Sequence, residues 1–547
     1  MTAPEIGRRQ AEAQEADAAR DSGTVAALTL VSRVSGVVRV LVVAAVLGTT
    51  FLGNTYQTAN TIPNIVFELV AAGVLTAVLL PSLVRLFDGA DPDLGEHVAR
   101  SVLGLVGAAL AVLAVVGILV APLLMRALLA GVPEGPIRDD QIRVGSFLLR
   151  CFAPQLVLYA GGMVATGVLH AKGRFAIPAV APLVNNVVVT VTYLAFWLLT
   201  RDEGRGLDLT TVEQLVLGLG TTLGVLAFCS VPVVAAVRSG VSLRPRFDHR
   251  HPEVRRLGRL GGWAAAQLAC TQLLLVVVLV LGNGVEGGVV AYQLAFTVFL
   301  LPHAVVALPV ATALYPALAR TATGGDGVAF GAATTDGLRA VLLLSAPAAA
   351  ALLALGGPLA DLLSLGAAAE GVEQIAGAIA GFGPGLVGYG ALLLLTRAAY
   401  AAGDTRTPAL VHLGILLVGA LAMVVAAMVV DGQERIAWLA AAFSAAHVVG
   451  AAVLLGPARG AAGRPGPVRL GRSTAVTAAA AVLAAVVMAG VASQLDGGGL
   501  DGGGRARAAL VVVVAGAVGL AIYAGVQRTV GGVTLATVPA LLRGRTT

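Results

Sequence analysis

The stretch FAPQLVLYAGGMVATGVLHAKGRFAIPA, residues Phe152–Ala179, decides how the chain is built, because it returns 230 residues later. The second copy, FGPGLVGYGALLLLTRAAYAAGDTRTPA, spans Phe382–Ala409 and shares ten of 28 positions without a gap. The shared positions include Pro154/Pro384, and a second echo matches Tyr56-Gln57 with Tyr292-Gln293 at an offset of 236 residues. Self-similarity at a long fixed period predicts two homologous halves. Such halves in an apolar chain are typical of secondary transporters.

The composition indicates a membrane protein. Of 547 residues, 57% are hydrophobic and only 12% are charged, whereas about a quarter of residues are charged in soluble domains. Fourteen apolar runs of about 20 residues follow one another, which is the length of a membrane-spanning helix. The sequence predicts an all-α polytopic membrane protein in which two homologous six-helix bundles precede two C-terminal helices.

The predicted domains follow from this count of spans. They are a disordered cytoplasmic tail (1–22), an N-terminal bundle (23–240), a C-terminal bundle (241–456), and helices 13 and 14 with a cytoplasmic tail (457–547). With the N-terminus inside, the two tails and the even-numbered connections hold 25 Lys and Arg, and the odd-numbered connections hold 8. By the positive-inside rule, both termini are predicted to be cytoplasmic. The net charge of +6 therefore reflects cytoplasmic arginines, and no nucleic-acid partner is expected.

Two arginines lie inside the first predicted span, next to Ser32. At about 1.5 Å per residue, Arg33 lies about 12 Å and Arg39 about 21 Å from the cytoplasmic end. Charges at such depth are costly and mark functional sites. One interpretation is an ion pair that holds helices together. The other is the positive wall of a water-filled cavity that suits a phosphate group.

The second predicted span carries a polar stripe. Gln57, Asn60, Asn64 and Glu68 follow one another at helical spacing and share one face. A polar face on an apolar helix must face protein or water rather than lipid, so the stripe predicts a cavity wall. Glu68 and Arg39 lie at similar depths, which suggests that they pair near the midplane. Gln293 is assigned to the cavity from its place in the second half.

Motifs of enzymes are missing from the sequence. It contains no GxxxxGK[ST] phosphate loop, no HExxH and no GxSxG. The three cysteines have no metal-ligand spacing. The sequence predicts a protein that is not an enzyme and that uses neither a metal nor a cofactor.

Several motifs together resemble the MurJ/MviN family of lipid II flippases, within the multidrug/oligosaccharidyl-lipid/polysaccharide exporter superfamily. The resemblance extends over almost the whole chain after the tail. The motifs are Ser32-Arg33-Val34 with Gly36 and Arg39, Asn60-Thr61-Ile62-Pro63-Asn64 leading through Gly73 to Pro81, Gly173-Arg174-Phe175 with Pro178 and Pro182, and Ala402-Gly403-Asp404-Thr405-Arg406-Thr407-Pro408.

The resemblance implies the function and the partners. Two six-helix bundles would surround a central cavity, and the extra pair of helices would form a groove for the polyprenyl tail. Lipid II, or a related polyprenyl-pyrophosphate-linked saccharide, would move from the inner to the outer leaflet of a bacterial plasma membrane by alternating access. Membrane lipids and cell-wall synthesis proteins would be the other partners. Arg33 and Arg39 match cavity arginines of the family, and Asn60 and Asn64 join them as predicted substrate-binding residues.

The chain departs from the family pattern at two places. Many members have two arginines where this chain has Phe67-Glu68, and an Asp-Arg pair and a Glu where it has Phe296-Thr297 and Leu300. Fewer cationic groups would bind a pyrophosphate less strongly. An exporter of another lipid-linked saccharide or of a cationic small molecule therefore remains an alternative. A membrane scaffold for cell-wall machinery is a third interpretation.

The repeated stretch is the fourth helix of each half with its turn into the fifth. The turns occupy symmetry-related places, which favours a role as cytoplasmic hinges or gates. The predicted gate residues are Gly173, Arg174, Gly403, Asp404 and Arg406.

Overall fold

The computed structural model describes residues 3–70, 80–87, 92–200, 206–248, 262–460, 471–497 and 504–530. These residues form nineteen α-helices and one short 3-10 helix, Gly366–Gly371, and no β-strand. The α-helices are α1 (Ala3–Leu47), α2 (Phe51–Val70), α3 (Leu80–Phe87), α4 (Pro92–Leu128), α5 (Pro136–Phe152), α6 (Gln155–Ala171), α7 (Ala176–Thr200), α8 (Thr211–Arg238), α9 (Gly262–Gly282), α10 (Gly288–Val305), α11 (Ala307–Thr323), α12 (Gly327–Ala354), α13 (Gly356–Leu363), α14 (Val372–Phe382), α15 (Gly385–Ala401), α16 (Arg406–Val429), α17 (Glu434–Gly460), α18 (Gly471–Gly497) and α19 (Gly504–Thr529).

The all-α, membrane-spanning prediction is confirmed. Among the described residues, twelve helices are long and apolar enough to cross a membrane, and a bent pair (Gly366–Phe382 with Gly385–Ala401, 46°) raises the number to 13. The second predicted span is not among them, and it includes residues 71–79, outside the described part of the chain. The motif position Gly73 also lies there.

The N-terminal segment belongs to α1. Residues 3–22 precede the apolar part of that helix, and the disordered tail that the sequence predicts for residues 1–22 stays a prediction. The segment is rich in Ala, Glu, Gln and Arg, which have the highest helix propensities, so the backbone can stay helical without apolar packing.

Prolines break the helix that the repeated stretch forms. In the fourth predicted span of each half, α5 ends at Phe152 before Pro154, and α14 ends at Phe382 before Pro384. The first of these spans, Pro136–Ala171, still qualifies as one membrane span. Proline has no N–H to donate and clashes with the carbonyl four residues earlier, so the ladder is interrupted at both places. The two prolines have nearly the same backbone angles, φ −59° with ψ −22° and φ −59° with ψ −30°.

The chain forms two compact units. The first contains residues 1–46, 55–126 and 139–265, and the second contains 47–54, 127–138 and 266–547. In the first unit, α7 packs along α8, where a Cβ on Gly224 would lie only 2.3 Å from a methyl of Val189. In the second, α18 and α19 pack together, and their core includes Met488 and Tyr523. Small residues that let helix backbones approach closely are the usual device for packing helices in membranes.

Candidate substrate site

Arg39 is the cation at the centre of the candidate site in the first unit. Its side chain is half-buried on α1, and its charge acts on the hydroxyls of Tyr56, Tyr159 and Tyr193. Its Nε is buried and has no hydrogen-bond partner, and the guanidinium makes no ion pair within the described residues. A buried donor without a partner is costly, and an anion that accepted its hydrogen bonds would remove that cost.

The tyrosines near Arg39 form a buried hydrogen-bond network. The Tyr56 hydroxyl lies 2.8 Å from both the Tyr193 hydroxyl and Thr221 Oγ1, and Thr221 Oγ1 donates to the Leu217 carbonyl at 2.7 Å. Since the Thr221 proton is used on that carbonyl, Tyr56 donates to Thr221, and Tyr193 donates to Tyr56. The network connects α2, α7 and α8, so it fixes the helices around Arg39.

The polar stripe of α2 is present, but its members differ. Gln57, Asn60 and Asn64 are half-buried, whereas Glu68 at the far end of the stripe is exposed. Asn64 Nδ2 donates to the Asn60 carbonyl at 2.9 Å, and its Oδ1 accepts a hydrogen bond from Tyr159 at 3.0 Å. The side chains of Gln57 and Asn60 have no hydrogen-bond partner among the described residues, so they are the amides that remain available to a ligand.

The predicted ion pair between Arg39 and Glu68 is wrong for this structure. Within the described residues no N···O contact joins them, although both charges act on the Tyr159 hydroxyl. Tyr159 donates to Asn64, and its ring lies 4.3 Å from the Phe67 ring. Glu68 is exposed at the end of the stripe, while Arg39 lies near the tyrosine hydroxyls.

Ser32 and Arg33 have different environments from Arg39. Asn186 of α7 donates to the Ser32 carbonyl at 3.3 Å and to Ser35 Oγ at 2.9 Å, so this part of α1 is a helix-packing surface. The Ser32 side chain is buried, whereas Arg33 is exposed. The depth of the two arginines could be read from the sequence, but the rotation of α1 that separates their roles could not.

Sequence reasoning missed a site at the start of α2. The Asn54 side chain is completely buried in the second unit, where Nδ2 donates to the Val285 carbonyl at 2.8 Å and Oδ1 accepts from the Val289 N–H at 3.0 Å. It thereby satisfies backbone groups around the start of α10. The only sequence feature that could have indicated this role is the position of the Asn, three residues before the polar stripe.

The predicted hinge turns have the same local geometry in both halves. Gly173 and Gly403 have φ of +71° and +81°, and the residue after each donates back to a carbonyl five residues earlier, at 2.8 and 2.9 Å. This is the Schellman end of a helix, and glycine adopts its left-handed conformation without strain. Arg174 and Arg406 are exposed. Their role as gates stays a prediction.

Asp404 stabilises the second turn. Its Oδ1 accepts a hydrogen bond from the Thr407 N–H at 2.9 Å. Partial burial acts to raise the pKa of the carboxyl, but the hydrogen bonds from Thr407 and Arg406 and the Arg406 charge outweigh it and lower the pKa below its ordinary value. In the first turn Arg174 stands at the position of Asp404, and an arginine cannot accept a hydrogen bond from the backbone in this way.

The predicted cavity residue of the second half, Gln293, is half-buried on α10. It lies one residue after Tyr292, which is buried and packs against Phe382 with ring centroids 4.9 Å apart. In place of the tyrosine network of the first unit, an aromatic cluster surrounds Phe382: Phe296, Phe299 and Phe443 lie within 5.5 Å of its ring centroid. Apart from Gln293 and Thr297, the second half therefore offers an apolar wall here.

An apolar cavity of about 310 Å³ lies between α12, α15 and α18 in the second unit. Its lining includes Ala346, Ala350, Ala481 and Ala485, with Thr474 and Thr477 at one end. Its walls fit an alkyl or polyprenyl chain. Within the described residues, no group of His, Cys, Asp and Glu has the geometry to hold a metal ion.

Comparisons with known proteins give one consistent result. The family profile described as “Lipid II flippase MurJ” matches residues 43–497. The chain is 28% identical over 402 residues to the lipid II flippase MurJ of Burkholderia cenocepacia, which covers 72% of this chain and 75% of that protein. It is 28% identical over 390 residues to a probable lipid II flippase MurJ of Rhizobium tropici, which covers 70% of this chain and 71% of that protein.

Solved structures share the fold. A lipid II flippase MurJ in an inward closed conformation superimposes with a TM-score of 0.72 at 17% identity and covers 92% of this chain and 98% of its own. An inward-facing multidrug resistance MATE family transporter of the MOP superfamily superimposes with a TM-score of 0.60 at 13% identity, over 80% of this chain and 94% of its own. At these identities the likeness concerns the fold alone.

Proposed function

Because the chain belongs to the family of the lipid II flippase MurJ, we propose that it carries lipid II from the inner to the outer leaflet by alternating access. The match covers residues 43–497 and therefore both halves of the duplication. The relatives are transporters rather than catalysts, and the chain acts on its lipid without making or breaking a covalent bond. It is a multi-pass membrane protein, and the arginine bias of its connections supports cytoplasmic termini in the bacterial plasma membrane.

The observation that carries the proposal is the environment of Arg39. Lipid II presents a pyrophosphate, and a guanidinium can give an anionic phosphate two parallel hydrogen bonds. The Nε–H of Arg39 is buried, and no group in the described residues accepts a hydrogen bond from it. In the proposal it binds the pyrophosphate, while Gln57 and Asn60 donate to the same group or to the first sugar. Arg33, exposed nearer the start of the span, attracts the headgroup, and Asn64 and Ser32 position the helices.

The cavity between α12, α15 and α18 holds the polyprenyl tail in this proposal. It has the apolar lining that such a chain requires. Because the tail already lies in lipid, the cavity gains packing contacts and a fixed orientation for it rather than a hydrophobic free energy while the headgroup crosses. This deepens the sequence prediction that the last two helices form a lipid groove, since α18 provides one wall.

A reconstitution experiment tests the function. The full chain is placed in vesicles with fluorescent lipid II, and a membrane-impermeant quencher reports the labelled headgroups that reach the outer leaflet. We expect exchange between leaflets that vesicles without the protein lack. An unchanged protected fraction at every gradient and membrane potential would contradict the proposal.

Variants of the tail cavity separate its role from that of the headgroup site. Ala481→Trp fills the cavity and should slow the transfer of lipid II with a long polyprenyl chain more than that of a short-chain analogue. The matched control is Val486→Trp on the same helix, because that side chain is 64% exposed and does not line the cavity. The control should leave the ratio of the two transfer rates unchanged. Equal slowing of both analogues by Ala481→Trp would show that the cavity does not hold the tail.

Export of a cationic small molecule is not favoured. The multidrug transporters share the fold at 13% identity, whereas the sequence relatives are named as lipid II flippases at 28% identity over 70–72% of this chain. Cell-wall synthesis proteins are proposed as partners because they would consume the lipid that this chain delivers.

A further inference from the structure

A chain of polar side chains joins three helices of the second unit. The Tyr400 hydroxyl of α15 donates to Gln267 Oε1 of α9, and Gln267 Nε2 lies 3.3 Å from His412 Nε2 of α16. His412 Nδ1 lies 2.8 Å from the Pro408 carbonyl, one turn earlier in α16. All three side chains are half-buried, and none of them belongs to the substrate site described above.

The direction of each hydrogen bond follows from the groups at the two ends. A carbonyl only accepts, so His412 Nδ1 carries a proton and donates to Pro408. In the neutral imidazole, His412 Nε2 is then an acceptor and receives a hydrogen bond from the Gln267 amide. Gln267 Oε1 receives one from Tyr400. When His412 is neutral, each of these hydrogen bonds therefore has one donor and one acceptor.

Protonation of His412 leads to a second hydrogen-bonded arrangement of the same three side chains. The new Nε2–H would face the Gln267 NH2, and two donors repel each other. A half-turn of the amide about its terminal torsion, which is soft and roughly two-fold, places Oε1 against His412 and the NH2 against the Tyr400 oxygen. Tyr400 then accepts a hydrogen bond, and its own proton turns away. One proton thus reverses the whole chain.

The surroundings leave the added charge without a carboxylate partner on these helices. The sequences of α9, α15 and α16 contain no Asp or Glu. Besides Tyr400 and His412, their titratable and charged groups near this chain are Cys270 on α9, Arg397 on α15 and Arg406 at the start of α16. Asp404 lies in the turn and is capped by Thr407. On α17, His447 is close enough to feel the charge of His412.

Helices α11 and α12 also pack on α15; they carry Tyr315, Arg320, Asp336 and Arg339, and Asp326 lies near Ala402. The charged groups of α17 lie at its two ends. In its sequence, Glu434 and Arg435 stand at the first turn, the end away from Tyr400, and Arg459 stands near the last residue. A proton on His412 therefore adds a net positive charge within the membrane-spanning part of the unit. Such a charge responds to the membrane potential as well as to the proton concentration.

The position of the chain connects it to a repeated turn. Tyr400 is the last residue but one of α15, and His412 lies six residues, or about 9 Å, into α16. The first half has no such chain, since His170 stands at the place of Tyr400 and Pro182 at the place of His412. The duplication therefore did not produce it, and the second half alone has this hydrogen-bonded link between the turn and α9.

We propose that His412 binds the proton that drives the transport cycle, and that Gln267 and Tyr400 pass its protonation state to the turn between α15 and α16. The inference rests on the proposed flippase function. Binding of a proton to Nε2 reverses the Gln267 amide, which changes how α9 is held against the ends of α15 and α16. An element with two alternative hydrogen-bonded arrangements, one of them selected by a ligand, is what coupling requires.

The test measures flipping against pH in vesicles that contain the full chain, with the membrane potential clamped by potassium and valinomycin. In the wild type, the rate should change about tenfold for each pH unit over part of the range from about 5 to 8, as one bound proton requires. In His412→Gln the rate should vary less than about twofold over the same range. The matched control is His447→Gln, because His447 Nδ1 also lies 2.8 Å from a carbonyl one turn earlier but its ring packs on Phe443. It should keep the wild-type dependence.

A second variant and a spectroscopic measurement distinguish loss of the proton site from a folding defect in His412→Gln. Gln267→Leu keeps His412 but removes the link, and it should flatten the pH dependence of flipping. In a pH titration of the 15N-labelled histidines, the signal of His412 is the one that is missing in His412→Gln. The midpoint of that signal should move in Gln267→Leu and should not move in His447→Gln.

Each result has a definite meaning. A wild type that flips lipid II at a rate independent of pH overturns the inference, as does a full pH dependence in His412→Gln or a His412 signal that does not titrate. A wild type that never moves lipid II, but whose His412 signal titrates and depends on Gln267, overturns the flippase proposal and leaves the proton site in place.

Discussion

Tyr56 packs edge-on against Phe152, with ring centroids 5.8 Å apart and planes at 89°. The second half repeats the contact with Tyr292 and Phe382, 4.9 Å apart at 67°. The tyrosines lie on α2 and α10, and each phenylalanine is the last residue of the helix that ends before the proline break. The duplication is therefore preserved in packing as well as in sequence.

This contact predicts a loss of stability when either phenylalanine is shortened. Phe152→Leu and Phe382→Leu should each lower the free energy of unfolding by about 1 kcal/mol, because the edge-to-face contact is lost and the rings are fully buried. Unfolding of the purified protein in detergent measures the change. Phe175→Leu is the control, since that ring is 49% exposed, and an equal loss there would show that the contact is not the cause.

Arg39 and Arg33 should differ in their effect on flipping. Arg39→Ala removes a charged donor to the pyrophosphate, which is worth about 1.5–3 kcal/mol, so the transfer rate at low lipid II should fall roughly 10- to 100-fold. Arg33→Ala should cost less than about fivefold, because that side chain is exposed and screened. The rates come from the quencher assay at matched protein insertion. Equal losses would contradict the assignment.

The effects of Arg39→Ala and Glu68→Gln should be additive. The two residues make no ion pair in the described structure, and independent sites add within about 0.5 kcal/mol. The double variant is compared with both single variants in the same flipping assay. A coupling above about 1 kcal/mol would mean that the pair forms in another state of the cycle.

Asn54 should be essential for stability although it lies outside the predicted site. Asn54→Leu leaves the Val289 N–H buried without a partner, at about 1–3 kcal/mol, and the Val285 carbonyl keeps only its hydrogen bond from the Gly288 N–H, so the unfolding temperature should fall clearly. Asn60→Leu is the control on the same helix, since that side chain has no partner among the described residues. A similar fall in both variants would refute the role of these two hydrogen bonds.

Asp404 gives a pH dependence of stability with a defined sign. Its pKa is lower in the folded protein than in the unfolded chain, so the ionised form stabilises the fold. The stability of the wild type relative to Asp404→Asn should be fully present above about pH 4 and should disappear as the pH falls through the lowered pKa. Thermal unfolding of both proteins between about pH 6 and pH 2.5 measures this difference. A difference that grows toward low pH would reverse the sign and exclude the explanation.

The sequence determined the features that depend on backbone chemistry and on contact with lipid. Apolar runs predict helices because a backbone in lipid must form its hydrogen bonds internally. Proline ends a helix because it lacks an N–H, as at Pro154 and Pro384, and glycine allows a positive φ because it lacks a Cβ, as at Gly173 and Gly403. The fold class, the duplication and the family could therefore be predicted. The disorder predicted for residues 1–22 stays a prediction, although α1 begins at Ala3.

Only the tertiary structure decided which side chains meet. Helices in a membrane have no hydrophobic drive toward one another, so small differences in packing set their rotation. That rotation places the half-buried Arg39 beside the tyrosines and exposes Arg33. It leaves Glu68 without the ion pair to Arg39 that was expected. It also brings Gln267 to Tyr400 and His412, which are 133 and 145 residues away in the chain. No periodicity along one helix can specify a contact of this kind, because each partner is placed by a different packing surface.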